Sequence, residues 1–228
     1  MGKNHLKRLA APKTWQIERK VAKFIAKSRP GPHRLDLSMP LGIIIKEILK
    51  QADTTGEVKK ILNSNEIKID GVVRKDFRFP VGVFDTLEFT NVGEHFRVIL
   101  DKKGIGLIKI NKEDSSMKPC KITGKTMVKG KLQLNLYDGK TILVDKDYYK
   151  VGDTVVLSLP ENKIGKHLKL EKKSAIILIG GKHIGETGNV DAIVENRIIY
   201  KDDKNELVET LKDYAFVVED TKHLIKPD

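Results

Sequence analysis

The sequence predicts an α+β, multi-domain chain: a basic N-terminal extension, a small helix-and-strand domain and two β domains. Three observations predict it. Positive charge crowds into the first forty residues. Two apolar stripes of helical period lie between residues 40 and 63. Beyond about residue 92 that period mostly vanishes, and short alternating strands replace it.

The chain has 228 residues and a formal net charge of +12. Residues 1–40 hold ten Lys/Arg against Glu18 and Asp36, a net +8, which leaves +4 for the other 188 residues. A basic arm on a nearly balanced body points to a polyanionic partner, nucleic acid or an anionic membrane surface. Apolar residues make up 39% of the chain and charged residues 32%, enough for small cores under a heavily solvated surface. No window approaches 18 uninterrupted apolar residues, which excludes a spanning helix. The basic start lacks the apolar stretch of a secretory signal. Cys120 stands alone, so no intramolecular disulfide can form and a reducing compartment is expected.

Residues 1–13 show no sustained periodicity. In "TWQIERKVAKFIAK", residues 14–27, Ile17, Val21, Phe24 and Ile25 fall at i, i+4, i+7 and i+8, which predicts a short helix. Arg19, Lys20, Lys23 and Lys27 crowd its other side, and "SRPGPH" ends it. Leu41, Ile44, Ile45, Ile48 and Leu49 predict the next helix, with Lys46 and Lys50 pointing away. Thr54 and Glu57 fit a capping box, each side chain satisfying the other's backbone N–H. The helix they open buries Val58, Ile61 and Leu62 and turns Lys59 and Lys60 outward. "EIKIDG" reads as a strand and a turn at Asp70-Gly71; "VVRKDFRFP" and "GVFDTLEF" read as further strands. Asp138-Gly139 marks a hairpin within "KLQLNLYDGKTILV". Short strands continue through "DTVVLSL", "SAIILIGG", "NVDAIV", "NELVETL" and "DYAFVVE", the pattern of small β-barrels.

"HLKRLAAPKTW…SRPGPHRLDLSMPL" resembles the N-terminus of small-subunit ribosomal protein four of the archaeal and eukaryotic e-type family. "LGIIIKEILKQADTTGEVKKILNSNEIKIDGVVRKDFRFPVGVFDTLEF" is similar to that family's alpha-L, or S4-type, RNA-binding domain. "IILIGGKHIGETGNVDAI" resembles a KOW motif of SH3-like barrels. The resemblance implies a basic extension with a short helix over 1–39, an alpha-L domain over 40–91, a central β-barrel-like domain over 92–172 and a KOW SH3-like domain over 173–228. It implies a structural constituent of the small ribosomal subunit, in its shorter archaeal form, in the cytoplasmic ribosome. The implied partners are small-subunit rRNA and neighbouring ribosomal proteins, with no membrane and no small-molecule substrate. The first residues are then expected to order against RNA phosphates rather than a core.

The candidate RNA-binding residues come from three stretches. From the extension they are Lys3, His5, Lys7, Arg8, Lys13, Trp15, Arg19, Lys20, Lys23, Lys27, Arg29, His33 and Arg34. Trp15 either stacks on a base or packs against the Phe24 side of its helix. From the alpha-L segment they are Lys46, Lys50, Lys59, Lys60, Arg74 and Lys75, and from the KOW loop Lys182 and His183. Many alpha-L domains open their second helix with Ser-Arg; Thr54, Thr55 and Gly56 stand here, so that Arg contact has no counterpart. Gly180, Gly181, Gly185 and Gly188 are expected to serve backbone geometry.

No catalytic residue, cofactor or metal is expected. Gly180, Gly185, Glu186 and Thr187 imitate a phosphate loop, but Glu186 replaces its lysine and would repel phosphate. Asp36 in "HRLD" resembles the aspartate of pseudouridine synthases, yet it precedes the RNA-binding segment and no catalytic domain comes after it. Six scattered histidines and one cysteine offer no metal-ligand spacing. The alternatives are an RNA-modifying enzyme of that type and a free KOW-containing transcription or translation regulator.

Overall fold

The structure is a computed structural model that describes residues 5–64, 66–202 and 204–219. It is mostly β with few helices, and it divides into two compact units, residues 1–99 with 103–116 and residues 100–102 with 117–228. No helix of the described residues is long and apolar enough to cross a membrane.

In the first unit the N-terminal segment folds onto its own body, contrary to expectation. Leu6–Lys7 pairs antiparallel with Phe24–Ile25. Trp15 is 2% exposed, its indole donates to Ser38 O at 2.7 Å, and its backbone bridges Ile105. Ile105 N donates to Thr14 O at 2.7 Å. Gly104, at φ +125°, permits that approach, because a Cβ there would sit 2.2 Å from Thr14 O. The helix expected over 14–27 is not formed: the segment is turns, bends and one two-residue strand. Its apolar positions satisfy a helical template, but tertiary pairing decides. Arg19 donates to Ala11 O at 2.9 Å and Pro12 O at 2.8 Å, bracing a turn in place of a helical face.

Leu41–Ile43 is α-helical and runs into a π-helical segment, Ile44–Ile48, where Leu49 N reaches Ile44 O at 2.9 Å. Leu41, Ile44 and Ile45 are buried as the stripe predicts, while Ile48 and Leu49 are only half-buried. The extra residue in the turn rotates the later positions off the stripe. Thr55–Asn63 is the second helix, with the capping box formed in both directions. The Thr54 hydroxyl, then the Asp53 and Thr54 N–H groups, hold the Glu57 carboxyl below its ordinary pKa. A five-stranded sheet runs in the order Val72–Val73, Ile67–Ile69, Thr86–Phe89, Glu94–Asp101, Gly104–Ile110. Asp70 and Gly71, both at positive φ, turn its first hairpin. "VVRKDFRFP" contributes only Val72–Val73 and the start of Pro80–Gly82; the residues between are loop.

The second unit holds two further sheets. One runs Thr141–Val144, Lys131–Leu136, Met117–Val128, Thr154–Ser158, Lys163–Leu168. Its core gathers Cys120, Ile122, Leu134, Leu136, Val155 and Leu157. The Asp138-Gly139 hairpin forms in the expected register, with Asn135 opposite Thr141. Lys118 and Asp138, each about 1% exposed or less at the side chain, pair at 3.2 Å inside it. Burial pushes the Asp138 carboxyl up, but Lys118 and Lys140 outweigh it and hold the pKa below its ordinary value. The other sheet runs Leu207–Leu211, Arg197–Asp202, Thr187–Val194, Ala175–Leu178, Ala215–Val217 over Ile176, Leu178, Val190, Ile198 and Tyr200. Gly185, at φ +78°, passes so near the chain at Asp101 that a Cβ would lie 2.3 Å from its carbonyl carbon.

Candidate nucleic-acid interface

The fold sorts the candidate cations into those spent on the protein and those left facing solvent. Lys3 lies outside the described residues. Arg8 is 7% exposed; its guanidinium pairs with Glu47 and donates through Nε to Glu18 O at 2.9 Å. That contact docks the N-terminal segment on the first helix, and Arg8 is withdrawn from phosphate. Arg19 is half-buried, its guanidinium donating to the carbonyls of Arg8, Ala11 and Pro12. The His33 side chain is 1% exposed and lies 2.9 Å from the Asp85 carboxylate, so it serves the core of its unit. Arg29 pairs with Asp76 and Arg34 with Asp36, both at 2.9 Å on the surface. Such exposed pairs are weak and exchange readily for a phosphate.

Trp15 is corrected as well. Packing is the outcome, but its neighbours are Ser38 and Ile105 rather than Phe24, which is 51% exposed. A tryptophan sealed at 2% exposure has no face to offer a base.

What remains outside is lysine. His5, Lys7, Lys13, Lys20, Lys23, Lys50, Lys59, Lys60, Lys75 and Lys182 are exposed, and Lys27 and Lys46 half-buried. Lys7, Lys13, Lys20, Lys50, Lys59, Lys75 and Lys182 form no salt bridge among the described residues. A groove of about 680 Å³ gathers Ile17, Val21, Lys46, Glu47 and Lys50 beside Arg8, joining residues 8–22 to residues 46–50. The Arg74 guanidinium sits 4.6 Å over the Phe79 ring, a stacked pose that holds the side chain against its own loop.

The loop after Ala175–Leu178 is tied down from inside. Glu186 accepts from Tyr200 at 3.2 Å, meets His183 at 2.9 Å and pairs with Lys102 at 3.2 Å. His183 is thus engaged at Nδ1, while Lys182 beside it stays exposed. The strand Thr187–Val194 begins directly after Glu186, so the imitation phosphate loop has no helix N-terminus to aim at an anion. Asp36 is occupied by Arg34 in a 3-10 turn, Leu35–Leu37.

The ribosomal family S4e matches residues 92–164, and the RS4NT (NUC023) domain matches residues 1–36. The chain is 41% identical to the small ribosomal subunit protein eS4 of Methanocella arvoryzae over 94% of each chain. It is 40% identical to the protein of the same name from Methanocaldococcus jannaschii, covering 98% of this chain and 97% of that one. The crystal structure of the 30S ribosomal protein S4e from Thermoplasma acidophilum is similar at a TM-score of 0.70 and 30% identity. That match covers 82% of this chain and 97% of the other.

Proposed function

The chain belongs to the ribosomal S4e family, and from that premise we propose that it holds folded small-subunit rRNA through the lysines its fold leaves exposed. It is a structural constituent of the small ribosomal subunit. Its family is one of ribosomal structural proteins and not of enzymes. The observation that carries this is the similarity along 94–98% of the chain to archaeal small-subunit proteins.

The mechanism is electrostatic and steric. Each lysine that neutralises a phosphate releases a condensed counterion, which drives binding. Residues 40–91 act as the alpha-L domain, and the exposed Lys59 and Lys60 of its second helix meet RNA backbone. A-form RNA hides base edges in a deep groove, so spacing of phosphates is read before sequence. The sheet built on Met117–Val128 acts as the central β domain and the sheet built on Thr187–Val194 as the KOW domain, whose Lys182 loop meets rRNA or a neighbouring ribosomal protein. The site of action is the cytoplasmic ribosome.

Sedimentation of a tagged chain tests the assignment. A constituent travels with small subunits after a moderate salt wash. Recovery mainly in light fractions would favour a free regulator and overturn it.

A further inference from the structure

With Trp15 sealed in the core, the first unit still carries an aromatic side chain aimed outward. On an antiparallel strand neighbouring side chains take opposite faces, and directly paired residues share one. Ile25, 8% exposed, faces in with its partner Leu6. Phe24 is thereby forced out on the same face as its partner Lys7, and is 51% exposed. Among the described residues it is the one exposed phenylalanine. The His5 ring lies 5.7 Å away at an interplanar angle of 50°, and the Lys23 ammonium stands 5.6 Å from the ring centre. Residues 5–24 contain six Lys/Arg and Glu18 as their sole acid.

An exposed ring among cations is the arrangement that single-stranded nucleic acid fits: cations hold the backbone while an aromatic face takes a base. Tyr148 gives the contrast. It is 68% exposed beside Lys146, but that lysine has an acid on each side in the chain, Asp145 and Asp147. We propose that Phe24, with His5 beside it, is a stacking platform for an unpaired base of small-subunit rRNA. The proposal rests on the rRNA-binding reading above and adds a residue that recognises a base to lysines that recognise only charge.

The test measures binding of the full chain to deproteinised small-subunit rRNA across salt concentrations. Phe24→Ala is expected to weaken binding about tenfold. The slope of log K against log[salt] should stay at the wild-type value, because no cation is lost. Phe24→Tyr should keep wild-type affinity, and Phe24→Leu, apolar but without a π face, should behave like Phe24→Ala. Wild-type affinity in Phe24→Ala or Phe24→Leu would overturn the platform. So would a Phe24→Ala chain that binds naked rRNA normally yet fails to enter reconstituted particles, which would give the ring to a protein neighbour. Absence of any salt-dependent binding by the wild-type chain would instead overturn the rRNA reading beneath it.

Discussion

Lys121 is 5% exposed, yet its ammonium finds three acceptors. It donates to Lys212 O at 3.0 Å, Asp213 O at 2.8 Å and Ala215 O at 2.8 Å. One side chain in the first sheet of the second unit thereby pins a turn more than ninety residues later. Burial pushes its pKa down to about 8; Asp213 opposes that shift and Lys212 adds to it. Between about pH 8 and 10.5 the unfolded chain binds a proton that the folded chain has released, so stability rises with pH there. Stability from this group is full above that window and is lost as pH falls through about 8. In urea titrations, the difference between wild type and Lys121→Met should therefore move toward wild type as pH rises across the window. A difference independent of pH contradicts the burial of that charge. None of this is legible in the sequence, where Lys121 is one lysine in an alternating strand. Trp15 and Phe24 teach the same lesson. Residue type marks Trp15 as a stacking candidate, but only the fold shows that Trp15 is buried and that strand register turns Phe24 outward.

Among the elements, the legible ones are those whose determinants lie within a few residues. The Thr54–Glu57 box spans four positions and forms as read. Thr54→Ala should cost about 1 kcal/mol in thermal unfolding, and an unchanged midpoint would remove the cap from the account. The Asp138-Gly139 hairpin is local in the same way. The helix expected over 14–27 fails because its real partners are distant: Phe24–Ile25 pairs with Leu6–Lys7, and Trp15 with Ile105. The π turn at Ile44–Ile48 carries no signature in its apolar stripe. Arg8 and Glu47, thirty-nine positions apart, belong to two segments read separately. Their contact makes a sharp prediction. Arg8→Met should lower stability by about 1–3 kcal/mol, since it strands a largely buried carboxylate. It should leave the salt dependence of rRNA binding unchanged. A reduced salt slope would show that Arg8 meets phosphate after all.

At the scale of the molecule, charge balance foretells a polyanionic partner and strand alternation the sheets beyond residue 92, because both are sums over many residues; the α+β class expected of the whole chain is corrected to mostly β with few helices. It does not foretell how the first forty residues are held. The sequence offers them no core of their own, but those described pack into the first unit through Ala11, Trp15 and Ile25 while their lysines stay outside. The N-terminal segment is thus a built surface more than a trailing arm. The central claim is that these exposed lysines, and not the net charge at large, carry the grip on rRNA. The most direct measurement compares wild type with a chain carrying Lys7→Gln, Lys13→Gln, Lys20→Gln and Lys23→Gln, tracking small-subunit rRNA binding against salt. The account predicts weaker binding and a slope of log K against log[salt] shallower by about 3, near 0.7–0.9 for each phosphate contact removed. An unchanged slope would contradict it.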